Sequence, residues 1–124
     1  MGKQLLVMPF IKGVKGGETA FLSLVLDTGA EKTCINEKSA LRLGFDLDAI
    51  KPTATFYSVT STCTLKVVHL HTFELLGRKE KNFPVFVHAF PPEFDMVHGV
   101  VGMDFLARLH KLKINFDAHE IEVP

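Results

Sequence analysis

The residues best suited to chemistry are Asp27, Thr28, Gly29 and Ala30, which directly follow the apolar run FLSLVL. A carboxylate at a strand end is held by a rigid element while its oxygens face an open cleft, as a general acid or base requires. Gly29 lacks a Cβ, so the backbone can turn sharply there and bring its N–H close to a carboxylate. Thr28 adds a hydroxyl that both donates and accepts, suited to locking one loop against a neighbour. An Asp before Thr-Gly is also an ordinary turn former. A second signal favours chemistry: Val100, Val101 and Gly102 stand more than 70 positions later and are followed by Met103, Asp104, Phe105 and Leu106.

Other reactive side chains form no comparable pattern. His69 and His71 would share one face of a strand, but no third ligand stands at metal-binding spacing, and no metal or cofactor is expected. Cys34 and Cys63 make neither a disulfide framework nor a zinc spacing, and read as reduced thiols of an intracellular protein. Cys34 is expected to be a small core residue rather than a nucleophile. Asp104 reads as a carboxylate at a helix N-terminus, and Asp46, Asp48, Asp95 and Asp117 as loop residues.

The elements that must position Asp27 are mostly strands. Residues 3–11 read as a strand, residues 13–18 as a glycine-rich reversal, and residues 19–26 as a returning strand apolar enough to be buried on both faces. After an extended stretch at 32–35, Asn36 is a good N-cap for a short helix that Gly44 closes. Residues 53–76 are rich in Thr, Val and aromatics, Gly77 marks a turn, and Phe83, Val85 and Val87 share a face of the next strand. Pro91 and Pro92 place a loop at 89–99. A second short helix is expected over 103–109, and a closing pair of strands flanks a tight turn at 117–119. Many short strands with one or two short helices predict an all-β barrel or sandwich.

At 124 residues the chain is expected to be one domain, spanning 1–124. A domain of this size buries roughly two-thirds of its unfolded surface and needs no metal or disulfide staple. Its 47% hydrophobic content agrees. The 14 basic and 14 acidic residues are scattered, so there is no basic stripe for nucleic acid. The apolar run near the N-terminus is far shorter than the roughly 20 residues of a membrane span. A soluble, cytoplasmic protein without membrane attachment is expected.

LDTGAEKTCI and the later VVG resemble the retropepsin family of aspartic proteases, in which a D-[ST]-G-A-x-x-T loop carries the catalytic aspartate. In that family a later hydrophobic-hydrophobic-Gly strand supports the loop. The segment from Gly99 to Val123 is especially similar to cellular, DNA-damage-inducible retropepsins and their small bacterial and archaeal relatives. The resemblance implies a closed β-barrel of the acid-protease type, forming one lobe. It implies that Asp27 is the catalytic aspartate, with Thr28, Gly29, Ala30 and Thr33 completing the motif, and that Val100, Val101 and Gly102 are the supporting strand. The substrate-covering flap would fall at Tyr57, Ser58, Val59, Thr60, Ser61 and Thr62. Many family members carry a glycine near the flap tip and this chain has none, so a wider turn is expected there.

The family's chemistry needs two carboxylates sharing a proton, and the chain contains a single D-T-G. The second acid is therefore expected from an identical subunit, in a homodimer with its two-fold axis between the Asp27 side chains. The terminal strands, residues 3–11 and 113–123, are the candidates to pair across that interface. The function implied is a homodimeric endopeptidase acting on an extended peptide or protein. Its side-chain pockets are expected to be lined by residues such as Leu26, Val85 and Val101. The alternative is a catalytically silent dimerisation or peptide-binding module on the same fold.

Overall fold

The computed structural model describes residues 5–57, 62–89, 97–118 and 120–123, with backbone alone at 54, 56, 57, 62 and 63. Eleven strands, most of them short, and two short α-helices follow one another along these residues. The first four strands are β1 (Leu6–Val7), β2 (Phe10–Lys12), β3 (Thr19–Phe21) and β4 (Leu24–Leu26); β5 (Cys34–Asn36) leads into α1 (Glu37–Arg42). Then come β6 (Ala54–Tyr57), the long pair β7 (Thr62–Leu75) and β8 (Arg78–His88), β9 (Gly99–Val101), α2 (Met103–Leu106), β10 (Lys113–Asn115) and β11 (Glu120–Glu122).

Nine strands form one curled sheet in the order β1-β4-β9-β5-β8-β7-β2-β3, with β6 paired to β7. β1 and β2 are nearly consecutive in the chain yet lie far apart along this path, so the sheet must bend back on itself. β10 and β11 form a separate two-stranded sheet.

Both long sequence-predicted strands are broken in two. Residues 3–11 are interrupted at Met8-Pro9, where proline has no N–H to give a ladder. Residues 19–26 change partner midway: β3 pairs with β2, whereas β4 pairs with β1 and β9. Nor is the second run buried on both faces. Leu22, Leu24 and Leu26 point inward, while Phe21 stays 53% exposed with its ring 4.8 Å from that of Phe10 on β2.

Local signals were accurate elsewhere. The Asn36 side chain accepts a hydrogen bond from the Ser39 N–H at 2.8 Å, capping α1. Gly44 follows that helix at φ 100°, and Gly77 turns the β7–β8 hairpin at φ 82°. Phe83, Val85 and Val87 all face inward.

The core centres on Phe73, Phe83 and Phe105, whose ring centroids are 4.9 to 5.9 Å apart. Such tilted and edge-to-face aromatic contacts contribute about 0.5–1.5 kcal/mol each beyond area burial. Phe105 ties α2 to the β7–β8 hairpin and so fixes the residues that precede it in the chain.

Candidate active site

Asp27 continues β4, a strand hydrogen-bonded on both sides. β1 runs antiparallel to it, with Leu6 opposite Val25, and β9 runs parallel, with Val25 opposite Val100. The pairing extends past the strand end, because the Asp27 N–H donates to the Val101 carbonyl at 3.0 Å. The backbone then turns tightly as the Ala30 N–H donates to the Asp27 carbonyl at 3.1 Å. Within this turn the Gly29 N–H donates to Asp27 Oδ1 at 2.9 Å, orienting the carboxylate. A Cβ on Gly29 would stand only 3.2 Å from that oxygen. The expected close approach of backbone and carboxylate is present, and glycine keeps it uncrowded. Asp27 is half-buried, whereas Thr28 and Gly29 are exposed.

The loop from Asp27 to Thr33 joins β4 to β5, and β9 is inserted between those two strands. It is parallel to β4 and antiparallel to β5. Val101 and Gly102 are therefore buried directly beneath the loop, with Val100 half-buried beside them. Two glycines make the fit possible. A Cβ on Gly99 would overlap the Cys34 carbonyl oxygen, and one on Gly102 would lie 2.6 Å from the Lys32 carbonyl carbon and 2.9 Å from the Ala30 oxygen. The Met103 and Asp104 N–H groups then donate to the carbonyls of Ala30 and Glu31 at 2.8 and 3.0 Å.

Sequence reasoning missed the side chain that joins these segments. The Asp104 carboxylate accepts the Thr33 N–H at 3.0 Å on each oxygen, and Oδ1 also accepts the Thr33 hydroxyl at 2.7 Å. The Thr33 hydroxyl in turn accepts the Gly102 N–H at 3.1 Å. Asp104 does stand in the first turn of a helix, as expected, but its carboxylate is spent on a residue 71 positions away. No local pattern announces such a pair. The available clue was a carboxylate immediately past a loop-supporting glycine.

The three expected pocket residues resolve differently. Leu26, Val85 and Val101, expected to line substrate pockets, are 8%, 0% and 0% exposed. The two-residue alternation of their strands turns them into the core. Cys34 Sγ lies near the Ile35 carbonyl at 3.8 Å, and burial pushes its thiol up to about 12. A raised thiol pKa makes the thiolate scarce at neutral pH, in keeping with the expectation of a small packed side chain rather than a nucleophile. For the expected flap, Tyr57 pairs with Thr62 at the end of the β6–β7 ladder. Ser58, Val59, Thr60 and Ser61 lie outside the described residues.

An aspartyl protease family profile matches residues 12–105, three-quarters of the chain. The chain belongs to the aspartyl protease family. Solved structures agree on the fold. A retropepsin-like aspartic protease from Rickettsia conorii is 23% identical, with a TM-score of 0.67 over 92% of this chain and 86% of that one. The EIAV protease complexed with the inhibitor HBY-793 is 18% identical, with a TM-score of 0.65 over 91% and 94%. The retroviral protease-like domain of Ddi1 from Leishmania major is 17% identical, with a TM-score of 0.60 over 98% and 88%. No curated protein matches by sequence. The all-β curled sheet is thus the retropepsin fold. Among the described residues no helix is long and apolar enough to cross a membrane.

Proposed function

We propose that the chain is a homodimeric aspartic endopeptidase in which Asp27 of each subunit activates one shared water. The observation carrying this reading is the Asp27 turn, a half-buried carboxylate oriented by the Gly29 N–H and mounted at the end of a doubly paired strand. The turn is complete except for a second acid, and the chain has no other D-T-G.

Two carboxylates about 3 Å apart cannot both ionise, so the pair holds one proton between them, the rule that defines aspartic proteases as a class. The ionised partner takes a proton from the water while the protonated one polarises the scissile carbonyl. The roles reverse when the tetrahedral intermediate collapses. Thr28, exposed beside Asp27, supplies the hydroxyl that would cross the two-fold axis. Val100, Val101 and Gly102 act as the support beneath the loop, and the segment Tyr57 to Thr62 acts as the flap.

An extended peptide is the substrate class this symmetry favours, bound as an added strand across the axis. One feature of the surface supports an apolar peptide. Val25 lies on the same side of β4 as Asp27, and Leu6, its partner on β1, is 54% exposed.

The test is hydrolysis of an unbiased peptide library by wild type and Asp27→Asn, together with sedimentation at micromolar concentration. Loss of a general acid–base pair is expected to cost at least about 10²–10⁴-fold in kcat, with an unchanged dimer. Equal turnover by the two proteins would sink the reading, and a dimer silent in both forms would favour a peptide-binding module instead.

A further inference from the structure

We infer that Asp104 is a positioning residue for Asp27, acting through Thr33 as a side-chain clamp between the aspartate loop and the segment that follows β9. Its kinetic consequences rest on the peptidase reading above, whereas its structural consequences do not.

Seven hydrogen bonds join residues 27–33 to residues 101–104. Three are backbone to backbone, from Asp27 N–H to Val101, from Met103 N–H to Ala30 and from Asp104 N–H to Glu31. These would survive any side-chain change. The other four all pass through Thr33, whose backbone N–H donates to both Asp104 carboxylate oxygens and whose hydroxyl donates to one of them while accepting from the Gly102 N–H. Thr33 is 0% exposed, so its N–H and hydroxyl are closed to water, while Asp104 is half-buried. A hydroxyl has one proton to give, and here it is committed to Asp104 Oδ1; the Gly102 N–H occupies an acceptor site. The hydroxyl is therefore held at both ends, and bonds to a charged acceptor are roughly twice as strong as neutral ones.

The clamp's position decides its consequence. Asp27 begins the loop and Thr33 ends it, and only the turn between them carries the reacting carboxylate. With the Thr33 end released, the loop keeps its backbone bonds but loses the side-chain tie at its far end. Asp27 would then sample orientations away from the one the Gly29 N–H selects. A displacement of about 1 Å at a reacting group can cost about 10²-fold in rate. Substrate affinity, spread over an extended peptide, would change little. The expected signature is thus a loss in kcat with KM nearly constant.

The decisive experiment compares Asp104→Ala, Asp104→Asn, Thr33→Val and Thr33→Ser, each assayed well below its own Tm. Asp104→Asn keeps one acceptor oxygen and Thr33→Ser keeps the hydroxyl, so both should retain most of kcat. Asp104→Ala and Thr33→Val should lose about 10- to 100-fold with KM within about twofold. Hydrogen exchange of the amides at 28–32 should quicken in those same two variants. Should Asp104→Ala not fold, Thr33→Val against Thr33→Ser decides alone. The inference is overturned if Thr33→Val and Asp104→Ala lower only Tm, leaving kcat and loop exchange at wild-type values, or if the conservative pair falls as far as the disruptive one. If the wild type cleaves nothing, the peptidase reading fails, while the exchange measurement still decides the clamp.

Discussion

The Asp27 loop and the β10–β11 hairpin handle their polar backbone in opposite ways. The loop is tied within the chain: the N–H groups of Asp27, Gly29, Ala30 and Thr33 and the carbonyls of Asp27, Ala30 and Glu31 meet β9, α2, Asp104 and one another. The hairpin is less so. Ile114 and Ile121 pair with each other and rest against the core, but Lys113, Asn115, Glu120 and Glu122 are exposed and Phe116 stands 49% exposed at the turn. Among the described residues its two strands pair only with each other. Open strand edges are ready templates for another chain. The contrast teaches that the chain finishes the mount for its carboxylate and, among the described residues, leaves open the edges of a hairpin on which the proposed twin could be tested.

Breaking the finished region should have the largest effect. Gly102→Ala forces a methyl against the Lys32 carbonyl carbon at 2.6 Å, where only backbone could yield. Overpacking typically costs about 1–3 kcal/mol and more when backbone must move, so Tm should fall by about 10 °C or more with activity lost. A Gly102→Ala protein that melts like wild type, measured by calorimetry, would mean the loop and β9 are not tightly seated.

The open-edged hairpin should respond in association rather than folding. Phe116→Asp places a charge on the exposed tip of the hairpin. If the twin attaches there, the dimer should weaken about 10- to 100-fold by sedimentation, while a monomer's thermal stability stays within about 0.5 kcal/mol. An unchanged dimer affinity would move the interface elsewhere.

The smallest expected effect sharpens the comparison at the opposite end of the β4–β9 ladder from Asp27. There the Ser23 N–H donates to His98 Nδ1 at 2.9 Å, and the His98 N–H donates to the Ser23 carbonyl at 2.8 Å. Nδ1 must be unprotonated to accept. Burial, with a smaller contribution from the Arg42 charge, lowers the His98 pKa below its ordinary 6.5. The unfolded chain then binds the proton more readily than the folded one. The stabilisation is therefore whole above about pH 6.5 and is lost as pH falls through the lowered folded value. Urea unfolding of wild type should show this decline between neutral and mildly acid pH. His98→Asn, which keeps an acceptor that does not titrate, should show a shallower one. Identical pH profiles would remove His98 from the ladder's support.

Much of this molecule was legible in the chain. Asp27-Thr28-Gly29 marked the turn because a carboxylate, a hydroxyl and a missing Cβ are local properties. Asn36 and Gly44 bounded a helix, and Gly77 a hairpin, for the same reason. Alternation predicted which face of Phe83, Val85 and Val87 is buried, yet it could not say that Leu26, Val85 and Val101 line a core rather than a cleft. What lies inside depends on which sheet curls over which. Asp104 and Thr33 are ordinary residues until β9 is threaded between β4 and β5, bringing positions 71 apart into hydrogen-bond contact. Periodicity and turn chemistry act over a few neighbours and are written in order along the sequence. Clamps, partner switches and open edges arise from strand pairing across the whole chain, and only the folded structure decides them.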